Sequence, residues 1–218
     1  MKEKPSKGRV KRWIANFFLF LLLLVGLALI FNEQIKDYFV KNTGDKYAIA
    51  NVTKDEIKKN NEKEASFDFD AVESMSTESV LRAQLNRTDL PVIGSIAVPS
   101  VAINIPIFRG LDNANLLYGA GTLDPNQQMG KGNYALASHN AGYEGLLFTS
   151  LNKVSVGDLV KLNDREGHSF IYKVKEQKHV DMTDTTMLNL TRKPTLTLIT
   201  CDQATKTTGR IIVIAELV

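Results

Sequence analysis

Cys201 carries the most reactive side chain in the sequence and is its single cysteine. It ends the apolar, β-favouring run Thr195-Leu-Thr-Leu-Ile-Thr-Cys201, and a polar loop follows it as far as Gly209. One cysteine cannot form an intramolecular disulfide or a thiolate-rich zinc site, but its thiolate can act as a nucleophile. Free cysteines are often inert small residues of a core. A boundary between a strand and a polar loop, where scaffolds present reactive groups, instead favours a functional Cys201.

Arg210 begins the next β-favouring run, which continues to Val218. If the two runs pair as an antiparallel hairpin across loop 202–209, Cys201 and Arg210 lie at facing ends of the ladder. An arginine by itself at a strand end could simply be a solvated charge. Beside a thiol, it supplies a permanent cation. The pattern therefore predicts one small site that Cys201 and Arg210 share.

A cysteine nucleophile needs a histidine or local positive charge, because an ordinary thiol with a pKa of about 8.5 is mostly protonated at neutral pH. The chain has three histidines. His168 lies in a predicted hairpin turn and His179 on a charged strand end, so both resemble surface residues. His139 follows the apolar strand Tyr134-Ala-Leu-Ala-Ser138 and opens a loop that contains glycines. His139 is therefore the predicted partner of Cys201, since both are presented from strand ends.

The elements that must position these residues are short strands. A first stretch rich in β-branched residues covers 94–108. Within 169–175, apolar residues alternate with lysines, as in a half-buried strand. The further strand candidates, separated by Gly, Asn and Asp clusters, are Tyr134–Ser138, Leu159–Leu162, Ser169–Val180, Thr195–Cys201 and Arg210–Val218. The pattern predicts an all-β domain, either a closed barrel or a sandwich.

Composition and charge exclude several classes of protein. With 44% hydrophobic and 23% charged residues, the chain is expected to fold rather than to be disordered. Its net charge is only +3, and much of the basic excess lies in the first dozen residues. A surface that binds phosphates would need that charge spread over one face. We therefore expect no nucleic acid partner.

The N-terminal segment predicts a cytoplasmic basic tail, residues 1–13, and a transmembrane signal-anchor helix, residues 14–31. The apolar run is interrupted only by Asn16 and is about 27 Å long as a helix, close to the hydrocarbon thickness of a membrane. The positive-inside rule places the tail in the cytoplasm. A cleaved signal peptide is the alternative, although its apolar region is usually shorter and ends at small residues. In both cases the remaining chain lies outside the membrane.

Residues 32–89 are polar and charged, which predicts an extracellular linker before a catalytic domain at 90–218. Thr53-Lys-Asp-Glu56 has the spacing of a capping box and could start a short helix. The stretch from Ser76 to Leu85 could form another. We interpret the segment as a spacer or as surface-packed helices, with the alternative that it lies over an active-site groove.

Motifs between Gly94 and Val213 resemble those of sortases. Thr197-Leu-Ile-Thr-Cys201 matches the TLxTC signature of that family. Ala137-Ser-His139 resembles the strand end that carries its catalytic histidine, and Gly209-Arg-Ile-Ile-Val213 resembles the strand that carries its essential arginine. Gly94-Ser-Ile-Ala-Val-Pro99 and Leu117-Tyr-Gly-Ala-Gly-Thr-Leu123 are similar to early barrel segments of class A sortases. Three motifs in the family's order are far more specific than any one of them.

The resemblance covers residues 90–218 and implies an eight-stranded closed β-barrel with short helices, anchored by its N-terminal helix to the outer face of a Gram-positive cytoplasmic membrane. The lack of a second apolar run at the C-terminus fits class A rather than the pilus-building class C. The implied activity is that of a cysteine transpeptidase, which cleaves LPXTG-containing surface proteins between Thr and Gly. An amine of lipid II or of the peptidoglycan cross-bridge then accepts the acyl group.

Carried over to this sequence, the resemblance implies that Cys201 is the nucleophile and His139 the general acid and base. Arg210 binds substrate and stabilises the oxyanion, a task that suits a cation unable to lose its proton. The histidine donates a proton to the departing amine and later accepts one from the incoming amine. The residues expected to shape the substrate-binding site are Ala137, Ser138 and Thr200.

Some sortases bind an activating calcium ion through several acidic residues that precede the catalytic histidine. The corresponding stretch here, residues 124–132, holds one acid, Asp124, and one lysine. Hard cations prefer several carboxylate or carbonyl oxygens. The composition therefore argues against calcium activation, and we expect neither a metal nor another cofactor.

Two other functions fit the same residues. A hydrolytic cysteine peptidase would pass the acyl group to water, and the sequence does not separate that outcome from transfer to an amine. An anchored extracellular binding domain with an inert cysteine would have no turnover, and a thiol-directed reagent would leave its function unchanged.

Overall fold

The chain divides into two units, Met1–Tyr38 and Phe39–Val218. In the first unit, helix α1 spans Lys7–Ile30. Its part Lys11–Ile30 is long and apolar enough to cross a membrane, in agreement with the apolar run that the sequence shows. The computed structural model describes residues 7–32, 34–35, 38, 47–69, 71–73, 75–85, 90–164, 166–189, 191–205 and 208–218.

The second unit contains a closed β-barrel. Its strands are β1 (Val92–Val98), β2 (Ile103–Phe108), β3 (Ala120–Thr122), β4 (Asn133–Ala137), β5 (Leu159–Asn163), β6 (Ser169–Asp181), β7 (Thr195–Cys201) and β8 (Gly209–Leu217). Their order around the barrel is β1-β2-β3-β4-β7-β8-β6-β5, and antiparallel pairing of β1 with β5 closes it. The predicted eight-stranded all-β barrel is confirmed.

Burial along the strands explains why this sequence closes on itself. In β6, Tyr172 and Val174 are buried while Lys173 and Lys175 are exposed, as the alternation of the sequence predicts. In β7, every residue from Thr195 to Thr200 is buried. The barrel interior is filled by branched aliphatic side chains, among them Ile96, Leu136, Leu162, Leu196, Leu198 and Val213. Burial of these side chains is the main driving force for closure.

Short helices connect or flank the strands. Among the described residues the α-helices of the second unit are α2 (Lys54–Glu62), α3 (Thr77–Leu85) and α4 (Asn113–Tyr118), and the 3-10 turns are Ile49–Asn51, Pro99–Val101, Thr149–Lys153 and Thr186–Leu188. The predicted capping box at the start of α2 is present, because Thr53 and Glu56 exchange side-chain and backbone hydrogen bonds.

The segment before the barrel packs against it; its described residues, 47–69, 71–73 and 75–85, are called the arm below. Ile57 of α2 is 2% exposed, and Asn60 Nδ2 donates to Val92 O of β1 at 3.0 Å. The ring of Tyr47 meets Phe108 edge to face, with 5.6 Å between centroids. The arm is therefore a surface-packed element of the second unit rather than a free spacer.

Candidate active site

Cys201 and Arg210 face each other across the ladder of β7 and β8. The two strands are antiparallel, and Cys201 pairs with Arg210 at the last position of the ladder. Cys201 is also the first residue of β7 that is not buried. The predicted hairpin is confirmed, and it places the thiol and the guanidinium at the same end of the barrel.

His139 reaches this end of the barrel because β4 and β7 run parallel, with Ala137 beside Ile199. Beyond the ladder, Ser138 N donates to Ile199 O at 3.2 Å, and Thr200 Oγ1 donates to Ser138 O at 2.9 Å. Since parallel strands end at the same edge of a sheet, the residue that follows Ser138 arrives level with the end of β7.

The loop after His139 is tied directly to the end of β7. Asn140 Nδ2 donates to the carbonyl oxygen of Cys201 at 3.1 Å, and Phe148 N donates to His139 O at 3.1 Å. His139 itself is 8% exposed. These contacts fix the backbone on both sides of the two predicted catalytic residues.

One pocket of about 110 Å³ lies at this end of the barrel. The six residues that the sequence predicted for the site all line it, namely Ala137, Ser138, His139, Thr200, Cys201 and Arg210. The hydroxyl of Ser138 donates to Gly119 O at 2.8 Å. The hydroxyl of Thr200 donates to the backbone oxygen of Ser138, the residue that follows β4. Ser138 and Thr200 therefore hold the walls of the pocket together.

The arm supplies a wall of the same pocket that the motifs did not predict. The lining residues contributed by the arm are Phe69, Val72, Glu73 and Met75. Arg210 Cζ lies 5.9 Å from the centroid of the Phe69 ring, a cation–π distance. Backbone bonds hold the arm in place, since Leu111 N donates to Ser66 O at 2.6 Å and Glu73 N donates to Asn113 Oδ1 at 2.9 Å. The alternative that residues 32–89 lie over the active-site groove is thus realised by the arm.

Arg210 has a hydrogen-bond donor that has no acceptor among the described residues. Its Nη1 donates to Gly209 O at 3.0 Å. Its Nε is buried and donates to no atom of the described residues. Buried donors normally have a hydrogen-bond acceptor. The Nε–H of Arg210 beside the pocket is therefore suited to donate a hydrogen bond to an oxygen atom of a ligand.

Burial shifts both predicted proton carriers toward their neutral forms. It raises the pKa of the Cys201 thiol, while the guanidinium of Arg210 acts in the opposite direction and the carboxylate of Asp202 raises the pKa further. Burial lowers the pKa of His139 to about 4. At neutral pH the main form of the site is therefore thiol and neutral imidazole, and the thiolate with imidazolium is a minor form.

The other two histidines lie outside the pocket. His168 is in the turn between β5 and β6, as predicted, and its Nδ1 lies 2.9 Å from Asp164 Oδ2. His179 lies near the end of β6, and its Nε2 lies 2.8 Å from Oδ2 of Asp202, the residue after the cysteine. From its sequence context His179 was predicted only as a surface residue, because no local pattern connects β6 with the loop that follows β7.

A group of possible metal ligands lies at the β5–β6 turn. Among the described residues, Asp164, Glu166 and His168 offer ligand atoms within 4.8 Å of one another. Asp164 Oδ1 already accepts the backbone N–H groups of Glu166 and His168, at 2.7 and 2.9 Å. In the stretch 124–132, Asp124 Oδ1 accepts Asn126 N at 2.7 Å. Turn formation accounts for the carboxylates of Asp164 and Asp124.

Comparison with known proteins assigns this chain to one class. The profile described as Sortase domain matches residues 96–218. Sortase A of Listeria monocytogenes serovar 1/2a is 43% identical over 197 residues, covering 90% of this chain and 88% of that protein. Sortase A of Streptococcus agalactiae serotype III is 44% identical over 227 residues, covering 100% of this chain and 90% of that protein.

Solved structures agree with the sequence comparisons. The crystal structure of Listeria monocytogenes sortase A has a TM-score of 0.56 at 44% identity, and covers 58% of this chain and 87% of that chain. Sortase A from Corynebacterium diphtheriae has a TM-score of 0.57 at 25% identity, with 85% of each chain covered. The fold is that of a β-barrel cysteine transpeptidase.

The chain belongs to the sortase family. It is a cell-surface transpeptidase that cleaves LPXTG-type sorting signals and anchors proteins to the cell wall, as the motifs predicted. Its substrates are surface proteins that carry sorting signals, and its acyl acceptor is a cell-wall amine.

Proposed function

We propose that Cys201, His139 and Arg210 carry out the sortase reaction in this chain as nucleophile, proton carrier and oxyanion-stabilising cation. The observation that carries the proposal is the meeting of the three residues at one pocket, with Cys201 and Arg210 as partners in the β7–β8 ladder. Arg210 adds a buried Nε without a partner among the described residues.

In the acylation step, the Cys201 thiolate attacks the carbonyl carbon of the threonine in the sorting signal. Negative charge develops on the carbonyl oxygen, where the Arg210 guanidinium stabilises it. As the tetrahedral intermediate collapses, the bond between the threonine carbonyl and the glycine nitrogen breaks. The imidazolium of His139 gives its proton to the departing amine, which leaves a thioester on Cys201 and a neutral imidazole.

In the second step, an amine attacks the thioester and the sulfur leaves as thiolate. The neutral His139 accepts the proton that the amine loses, so the thiolate and imidazolium pair is restored. Buried His139 suits this half of the cycle, because a pKa of about 4 keeps the imidazole neutral in the thioester intermediate, ready to accept the proton of the amine. These steps need no metal ion, since the three side chains supply the nucleophile, the proton carrier and the cation.

The family resemblance supports a finer identity of the partners. We propose that the donors are surface proteins with an LPXTG-type motif and that the acceptor is the amine of lipid II or of a peptidoglycan cross-bridge. The substrate-binding wall combines Ala137, Ser138 and Thr200 with the apolar arm residues Phe69 and Val72. An apolar wall suits the leucine and proline of the motif.

We propose that α1 holds the enzyme in the cytoplasmic membrane as a single-pass anchor. Support comes from the apolar stretch Lys11–Ile30 and from the basic residues that precede it. The positive-inside rule then leaves the N-terminus in the cytoplasm and the barrel outside. Protease treatment of intact protoplasts should remove the barrel from wild-type cells, and a barrel protected from protease would contradict this orientation.

The test of the reaction uses the full chain in detergent with an LPXTG peptide, with and without an added amine, and mass analysis of the products. We expect the amide in the presence of amine, and no product from Cys201→Ala. His139→Ala should be nearly as inactive. A protein that released only the free acid despite excess amine would be a hydrolytic peptidase. A protein with no turnover and no response to a thiol reagent would be a binding domain.

A further inference from the structure

His179 and Asp202 connect β6 to the residue next to the cysteine. His179 Nε2 lies 2.8 Å from Asp202 Oδ2, and the Asp202 side chain is only 16% exposed. The two residues are 23 positions apart in the sequence. The contact therefore fixes the first residue of the loop that joins β7 to β8 against a third strand of the barrel.

Gly209 leaves the space in which this contact forms. A Cβ added at Gly209 would overlap Asp202 Oδ2 and would lie 2.5 Å from His179 Nε2. Real Cβ atoms do not approach other atoms so closely, so any other residue at this position would push the pair apart. Gly209 pairs with Asp181 on β6 and precedes Arg210 on β8, so the pair lies next to the backbone that carries Cys201 and Arg210.

Backbone hydrogen bonds connect Asp202 to both predicted catalytic residues of this hairpin, Cys201 and Arg210. Asp202 N donates to Gly209 O at 3.2 Å, which continues the ladder one step beyond the pair of Cys201 and Arg210. Arg210 in turn pairs with Val180, the neighbour of His179 on β6. Backbone hydrogen bonds thus link Cys201 and Arg210 to Asp202 and to β6. His179 contacts this network from outside the pocket.

We propose that His179 is a positioning residue of the sortase reaction: its hydrogen bond to Asp202 holds the end of the β7–β8 hairpin so that Cys201 and Arg210 keep their mutual position. The inference rests on the proposed function of those two residues. His179 does not line the pocket, so it acts through Asp202 and not on the substrate. Exposed ion pairs add little stability, whereas a displacement of about 1 Å at reacting atoms can lower a rate about a hundredfold. The contact should therefore matter for rate far more than for folding.

The chain contains a matched control for this pair. His168 and Asp164 lie 2.9 Å apart with side chains 62% and 21% exposed, against 2.8 Å with 59% and 16% exposed for His179 and Asp202. The control pair lies in the β5–β6 turn, away from the pocket. His168→Ala removes the same chemistry at nearly the same exposure and should leave kcat unchanged.

The experiment measures kcat, KM and melting temperature of the full chain in detergent. His179→Ala should lower kcat about tenfold, with KM within about twofold and the melting temperature close to wild type, because geometry and not binding is lost. His179→Gln, whose amide can still donate to the carboxylate, should recover most of the rate. Gly209→Ala should resemble His179→Ala, and combining the two should lower kcat no further.

A double-mutant cycle decides whether Asp202 is the partner. In an Asp202→Ala background, His179→Ala should have no further effect on kcat. The proposal is wrong if His179→Ala keeps wild-type kcat, if its loss persists undiminished without Asp202, or if His168→Ala shows the same loss. If the wild type forms no product, the proposed function fails instead. In that case the rate of Cys201 alkylation by iodoacetamide, measured in the same double-mutant cycle, tests whether His179 positions Cys201.

Discussion

Cys201 and Arg210 occupy opposite positions in the last rung of the β7–β8 ladder, with the Arg210 guanidinium against the Phe69 ring and its Nε buried. This relationship makes the thiol and the cation parts of one rigid hairpin end. Neither residue can move along its strand without breaking the ladder. The hairpin therefore fixes in advance the relative position of the proposed nucleophile and the proposed oxyanion-stabilising cation.

Replacing Arg210 separates its charge from its shape. Lysine keeps the charge but loses the planar fork of donors, so Arg210→Lys should be much slower than wild type. Loss of a directed oxyanion donor typically costs roughly 3–4 kcal/mol, or about a hundredfold to a thousandfold in rate. The melting temperature should change little. Arg210→Ala is the control: activity that falls only in proportion to unfolded protein would make this arginine structural, and near-normal activity of the lysine variant would reduce it to charge attraction.

The pH dependence of kcat/KM should show a broad plateau. The pKa of His139 is about 4, and that of Cys201 lies above its ordinary value. Between these two pKa values, a rise in pH increases the fraction of Cys201 thiolate by the same factor as it decreases the fraction of His139 imidazolium. The fraction of enzyme that holds both reactive forms therefore stays constant. The rate should fall below about pH 4 as thiolate is lost, and above the pKa of Cys201 as imidazolium is lost. A narrow bell with both limbs near neutrality would contradict the burial-shifted pKa values.

The pKa of Cys201 should respond to its two charged neighbours in opposite directions. Arg210→Met removes a cation that favours the thiolate, so the pKa should rise. Asp202→Asn removes an anion that disfavours it, so the pKa should fall. Because Cys201 is the single cysteine, the pH profile of iodoacetamide alkylation reports this group alone. Equal shifts of the same sign in both variants would show that the neighbours act through structure and not through charge.

Removal of a buried side chain from the arm should destabilise the second unit. Ile57 of α2 is 2% exposed, and truncating a buried isoleucine to alanine typically costs about 2–5 kcal/mol. The melting temperature of Ile57→Ala should therefore fall by roughly 5–15 °C. Lys58→Ala, one residue along the same helix and exposed, is the control and should change it little. Equal melting temperatures for both variants would mean that the arm is not part of the folded unit in solution.

The sequence predicted most of the strands because the information that defines them is local, whereas the closed eight-stranded barrel was predicted from the family resemblance. Strand positions follow from period-two alternation, as in residues 169–175 of β6, and from Gly, Asn and Asp clusters between strands. The pairing of Cys201 with Arg210 was predictable because a short loop permits only an antiparallel hairpin. The helix cap at Thr53 and the hairpin turn at His168 were also predictable, because each depends on residues only a few positions apart in the sequence.

The sequence by itself determined the residue types, the strand order along the chain and the local hairpin that joins Cys201 to Arg210. Only the tertiary structure decided what meets them from a distance. Parallel pairing of β4 with β7 brings in His139, the arm lays Phe69 on Arg210, and His179 reaches Asp202 from β6. Such contacts depend on which surfaces close the barrel, and no local periodicity encodes them. The low pKa of His139 has the same origin, because burial exists only once the chain has folded around the imidazole.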